Sequence, residues 1–132
     1  GTYGGNPLGI AAAHAVLDVI EEEDLCARAN ELGLRLRQRL EAIRATTPEM
    51  VDVRGPGFMV AAEFNTTDGY APSPEFTQKV REEALKRNLI LLTCGVYGNV
   101  IRFLAPITIQ DEILAEALDI LEESVAAAQK SA

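Results

Sequence analysis

The sequence predicts an α+β fold, a largely antiparallel sheet of about four strands with helices packed on one face. Three observations carry that expectation. Apolar residues recur at helical spacing in four stretches, and between those stretches the period drops to two. The short-period segments come in pairs separated by helical ones, giving the order helix, helix, strand, strand, helix, strand, strand, helix. Strands paired in this way join as hairpins, and hairpins build antiparallel sheets.

The first helix starts at Asn6-Pro7, where asparagine can cap free N–H groups and proline at the first helical position forfeits no hydrogen bond. Leu8, Ala12, Ala15 and Val19 follow on one face, and the alanines would let another element approach closely. Asp24 stands where a cap for the second helix is expected. Leu25, Ala29, Leu32, Leu36 and Ile43 form its stripe, with Arg35, Arg37, Arg39 and Glu41 off it. Pro48 closes that helix.

Val51-Asp52-Val53 then alternates, and Gly55-Pro56-Gly57 signals a turn. Phe58 to Phe64 is apolar enough to be a central strand, with Glu63 near its end either a buried acid or, the simpler reading, a residue at an edge reaching water. Residues 65–73 read as a polar loop ending in a second cap-plus-proline start, Ser73-Pro74. Phe76, Val80 and Ala84 line the third helix, and Asn88 suits its end. Leu89–Thr93 and Asn99–Leu104 are the remaining strands. Thr108 with Asp111 resembles a capping box ahead of a helix lined by Leu114, Leu118, Leu121 and Val125. The tail from Gln129 is expected to fray. Residues 1–23, a glycine-rich turn and a helix, thus precede a layered unit over 24–132.

Composition narrows the function classes. The 132 residues carry a formal net charge of −8, with charges mixed along the helices, so nucleic acid and anionic membrane are poor partners. No apolar run approaches the roughly 20 residues of a spanning helix. Cys26 and Cys94 lack metal-ligand spacing, and one histidine, His14, leaves a zinc site without ligands. Two free thiols in a reducing cytoplasm is a simpler reading than one disulfide. The chain opens on Gly1 inside a turn rather than on methionine, which suggests a piece of a longer protein.

Catalytic residues are not expected within the chain. Lysines stand only at 79, 86 and 130, on helix faces expected to be exposed, whereas a lysine that forms a Schiff base must be desolvated. Ser73, Ser124 and Ser131 read as caps or surface residues. Two features suit binding. Gly1-Thr2-Tyr3-Gly4-Gly5-Asn6-Pro7 is either an ordinary capped turn or an anion site at a helix start. Arg102, within the apolar run Asn99–Leu104, is an outward-pointing strand residue, a structural ion pair, or a bidentate grip for a carboxylate.

Four segments in order carry a family resemblance: Gly1–Pro7, Asp52-Val53-Arg54-Gly55-Pro56-Gly57, Leu89–Gly95, and Asn99-Val100-Ile101-Arg102 with Pro106. Together they resemble class III pyridoxal-phosphate-dependent aminotransferases. Leu91 to Arg102 is most similar to the 4-aminobutyrate type, since acetylornithine and ornithine relatives usually have a shorter turn there. The resemblance implies the small C-terminal domain of a fold type I enzyme, with residues 1–23 as a phosphate-binding turn and interdomain helix. It implies a large domain of the same protein as partner, a homodimer or higher homo-oligomer, and a cytoplasmic location. Thr2 would bind the cofactor phosphate of the neighbouring subunit. Arg102 would hold the α-carboxylate of glutamate or 2-oxoglutarate, its usual glutamate partner lying in the large domain, and Arg54 would be structural. The implied reaction moves the amino group of 4-aminobutyrate to 2-oxoglutarate, giving succinate semialdehyde and glutamate, and this chain alone would be inactive. The alternatives are another ω-amino-acid or ornithine-type enzyme of that class, and a non-catalytic module that binds an amino acid.

Overall fold

The structure, a computed structural model, describes residues 1–68 and 70–130; Gly69, Ser131 and Ala132 lie outside the described residues. Eight elements succeed one another: α1 (Pro7–Glu22), α2 (Leu25–Arg44), β1 (Met50–Arg54), β2 (Val60–Phe64), α3 (Pro74–Lys86), β3 (Leu92–Cys94), β4 (Val100–Phe103) and α4 (Asp111–Lys130). The strands form one antiparallel sheet in the order β1-β2-β4-β3. Helices α2, α3 and α4 cover one of its faces. The α+β expectation holds, with the helices on a single side.

Period-two alternation decides which side chains enter the core. Val60, Ala62 and Phe64 of β2, Ile101 of β4 and Met50 of β1 are buried in one cluster with Leu32, Leu36 and Leu40 of α2. Val80 and Ala84 of α3 and Leu114, Leu121 and Val125 of α4 complete that cluster from the helix layer. The Phe64 and Phe76 rings pack with centroids 5.6 Å apart and tilted by 47°, locking α3 onto the central strand.

The helix starts behave as their sequences predict at two positions and differ at two others. Asn6 Oδ1 accepts from the Leu8 N–H at 2.9 Å, and Ser73 Oγ accepts from Phe76 N–H at 3.4 Å, each followed by proline. Asp24 occupies the cap position of α2 but makes no side-chain cap bond. Its φ of 47° places it in a left-handed turn joining α1 to α2, not in the extended geometry from which a cap reaches forward. Asp111 is likewise diverted. Its carboxylate pairs with Arg28 Nη2 at 2.5 Å and Arg35 Nη1 at 2.9 Å, clamping the start of α4 to α2, instead of closing a box with Thr108. Arg28 and then Arg35 hold the Asp111 carboxyl below its ordinary pKa. Arg39 adds a second clamp, to Asp119 and, at 2.8 Å, to Glu122.

Strands β2, β3 and β4 are shorter than the apolar runs that announce them. Phe58 and Met59 belong to the turn after β1, because Gly55 (φ 131°) and Gly57 (φ 50°) fold the chain back before pairing begins. Leu89 to Leu91 run up to β3 without joining the ladder, and the ladder of β4 ends at Phe103. Helix α3 stops at Lys86, and Asn88 takes a left-handed φ of 66° just beyond it. The C-terminal helix does not fray at Gln129. That side chain donates to the Thr46 carbonyl at 3.3 Å and to Glu49 Oε2 at 3.2 Å, tying the last turn to the loop before β1.

Lys79, expected on an exposed face, is half-buried and has an interaction partner, while Lys86 and Lys130 are exposed. The apolar stripe of α3 is wider than its three marked residues, and a lysine stem can lie along it. Both cysteines are free, Cys26 exposed and Cys94 half-buried. No helix among the described residues is long and apolar enough to cross a membrane.

One close approach fixes α2 against the sheet. Gly33, buried in α2, faces the backbone of Gly57, and a Cβ at position 33 would stand 1.9 Å from the Gly57 carbonyl oxygen. The helix and the β1–β2 turn can touch only because that side chain is missing. Gly33→Ala is therefore expected to lower stability by about 1–3 kcal/mol, as overpacking does, read as a fall in melting temperature. An unchanged melting temperature would show that the turn moves aside freely.

Candidate functional site

The second face of the sheet lies away from the helices. Register puts two rows of side chains on it. Arg54 of β1, Ala61 of β2, Arg102 of β4 and Leu92 of β3 stand side by side in the first row, since Arg54 pairs with Ala61, Ala61 with Arg102, and Arg102 with Leu92. Asp52, Glu63, Val100 and Cys94 make the second. Arg102 is exposed, and Leu92 beside it is 63% exposed. Of the three alternatives left open by the sequence, the structural ion pair is not formed among the described residues. Arg102 has no hydrogen-bond or ion-pair partner among the described residues.

The rest of the face is internally satisfied. Arg54 Nη1 lies 2.6 Å from Asp52 Oδ2 and 2.6 Å from Glu63 Oε2. The Asp52 contact, then the Glu63 contact, raises the guanidinium's pKa above its ordinary value. Glu63 is thus neither an isolated buried acid nor an edge residue in water. It sits half-buried on a central strand, because β4 joins the sheet on the far side of β2. Behind it, buried Asn99 donates from Nδ2 to the Phe64 carbonyl and to Asn65 Oδ1, each at 3.1 Å, with Glu63 Oε1 3.5 Å away. Arg54 is structural in the sense expected, and its two acids are partners the sequence reading did not assign.

A cavity of about 360 Å³ opens near Arg102, between the β3–β4 edge and α4. Phe58, Leu91, Phe103, Ile113 and Leu114 contribute to its wall, and Arg102 is the sole charged residue there. No second polar side chain stands among its lining residues to orient a ligand.

The N-terminal turn is open. Gly4 N–H donates to the Gly1 carbonyl at 3.0 Å and Asn6 N–H to the Tyr3 carbonyl at 3.1 Å, while Gly5 takes a φ of 82°. The Thr2 hydroxyl and the N–H groups of Tyr3 and Gly5 have no partner among the described residues. Thr2 is exposed, and the helix that follows, α1, packs against α2 alone. The chain does not itself bring Thr2 to Arg102. Helix α1 buries no residue, leaving Leu8 81% and Leu17 60% exposed. His14 is exposed, and the described residues hold no cluster of metal-ligating side chains.

The aminotransferase class-III family matches residues 1–125. A 4-aminobutyrate aminotransferase of Mycobacterium leprae is 45% identical over 121 residues, covering 92% of this chain and 27% of that protein. A 5-aminovalerate aminotransferase of Pseudomonas aeruginosa is 48% identical over 124 residues, covering 93% of this chain and 29% of its own length. In three dimensions the chain superposes on the ornithine aminotransferase of Toxoplasma gondii, a structure described with partial occupancy of PLP at its active site. The TM-score is 0.83 at 27% identity, covering 99% of this chain and 29% of that one. The chain therefore spans less than a third of the relatives it matches. With the family matched almost end to end and the fold shared, this chain belongs to the class III aminotransferases.

Proposed function

We propose that this chain is the small domain of an aminotransferase that moves an amino group from 4-aminobutyrate to 2-oxoglutarate, with Arg102 receiving the α-carboxylate of the oxo acid. The observation that carries the reading is the unpaired guanidinium on the uncovered sheet face. A planar cation with five donors and no partner among the described residues is suited to a bidentate carboxylate. The other charged side chains of that face are already engaged, Arg54 with both Asp52 and Glu63, so an incoming acid meets one available cation there. The relatives named for 4-aminobutyrate support the donor.

The N-terminal turn fits a phosphate. Thr2 offers a free hydroxyl, Tyr3 and Gly5 offer free N–H groups, and the positive φ of Gly5 turns the backbone without a side chain in the way. In the proposed dimer Thr2 donates to the cofactor phosphate of the neighbouring subunit. Pyridoxal phosphate, when bound, supplies the electron sink for amino-group transfer. This chain orients the acid through Arg102 and helps to anchor the phosphate through Thr2. The lysine that anchors the cofactor lies outside it: Lys86 is paired at 2.6 Å with Glu83, and Lys79 and Lys130 also stand on helices α3 and α4. The chain by itself is expected to be inactive.

Helix α1 supports a large-domain partner. Its exposed Leu8, Val16 and Leu17 would each contribute about 1.5–3 kcal/mol once covered, and the residues 1–23 are read as the bridge between domains. Two free thiols fit the cytoplasmic location expected from the sequence.

A second reading, 5-aminovalerate as donor, is favoured by the 48% identity to an enzyme of that name. Comparing kcat/KM for the two donors in the full-length enzyme separates them. The central reading is tested by Arg102→Ala, which should raise the KM for 2-oxoglutarate about 10- to 100-fold, the loss of a charge-assisted pair, with cofactor affinity retained. Unchanged 2-oxoglutarate kinetics would end the assignment. Thr2→Ala should weaken cofactor binding by about 1.5–3 kcal/mol, measured by equilibrium dialysis, and an unaltered dissociation constant would remove Thr2 from the phosphate site.

A further inference from the structure

An acid stands within reach of Arg102 and yet does not pair with it. Glu63 faces Val100 across the β2–β4 ladder, so it is a diagonal neighbour of Arg102 on the uncovered face. Diagonal neighbours lie about 7–8 Å apart, a gap that long side chains close. The residue directly opposite Arg102 is Ala61, whose side chain is too short to fill the space beside the guanidinium stem. An internal Glu63–Arg102 pair would occupy the very guanidinium that the proposed function needs free.

Glu63 is instead drawn to the opposite side. Its Oε2 lies 2.6 Å from Arg54 Nη1, and buried Asn99 holds an amide 3.5 Å from its Oε1. Arg54 and Arg102 flank Ala61 from its two sides, so the two cations compete for one carboxylate and Arg54 holds it. Arg54 is itself kept in place by Asp52 at 2.6 Å, from the same strand.

We propose that Arg54 is a positioning residue: by holding Glu63 on the β1 side of the sheet, it keeps that acid off Arg102 and leaves the guanidinium available to a carboxylate from outside this chain. This inference rests on the reading of Arg102 as the carboxylate grip. It assigns Arg54 no contact with substrate. Its effect on the site passes entirely through Glu63.

Two consequences differ from those of a merely structural arginine. Removing Arg54 frees Glu63 to fold onto Arg102 and compete with the ligand. Removing the charge of Glu63 at the same time abolishes that competition. The loss is therefore reversible by a second substitution that restores none of Arg54's own contacts.

The test uses the full-length enzyme and glutarate, an unreactive dicarboxylate, with affinity read by titration calorimetry. Arg54→Met should weaken glutarate about fivefold, the upper end for an intramolecular ion pair at a partly exposed site. The double variant Arg54→Met with Glu63→Gln should return to within about twofold of the native affinity, and Glu63→Gln alone should bind no more weakly than native. Unaltered binding in Arg54→Met overturns the proposal, as does a loss that Glu63→Gln fails to reverse. Should Arg54→Met not fold, Arg54→Lys takes its place, with a smaller loss that Glu63→Gln must likewise reverse. Arg102→Ala tests the underlying reading separately: native glutarate affinity in that variant removes the grip itself, whatever the Arg54 variants do.

Discussion

The register between β2 and β4 is the constraint on which the rest of the structure depends. Ala61 stands opposite Arg102 and Ala62 opposite Ile101. Because successive side chains on a strand alternate in direction, a slip of one residue would exchange the two faces. Arg102 would then be driven among Leu36, Val80 and Leu114, and Ile101 would be left in water. Burial of Ile101, Ala62 and Val60 under the helices makes that exchange prohibitive. The placement of a cation on the uncovered face is thus enforced by the apolar residues between which it alternates.

The electrostatics of the two faces differ in kind. On the helix side, Arg28, Arg35 and Arg39 of α2 are tied to Asp111, Asp119 and Glu122 of α4. These pairs are largely exposed, and such pairs contribute little each. They set the angle between two helices already joined by the core. On the uncovered face, Arg54 is tied to Asp52 and Glu63, and Arg102 is not tied at all among the described residues. An arginine left unpaired beside a neighbouring acid is free to meet a carboxylate from outside the chain.

Much of the fold was legible in the sequence. Asn6-Pro7 and Ser73-Pro74 gave true helix starts because cap and proline act locally, and the change of period marked the strands. The starts of β2 and β3 fall later than their apolar runs, because apolar character begins before backbone pairing does. At Gly55 and Gly57 it is the left-handed backbone, not hydrophobicity, that delays β2. Asp24 and Asp111 sit where caps belong, but a left-handed turn claims the first and two arginines from α2 claim the second. No local pattern announces a partner that distant in the chain. The same limit applied to the site. Arg102 was singled out by its chemistry in an apolar strand, whereas Glu63 and Asn99 became readable only with the strand order, which the sequence does not encode locally. Gly33 was missed for a related reason, since its meaning lies in the Gly57 carbonyl it faces.

The most direct measurement is a crystal structure of the full-length enzyme with a dicarboxylate bound. The expected result is a ligand carboxylate within about 3 Å of both terminal nitrogens of Arg102, with Glu63 still on Arg54. A ligand carboxylate seated elsewhere, with the Arg102 guanidinium paired to an acid of the protein, would contradict the role given to that arginine.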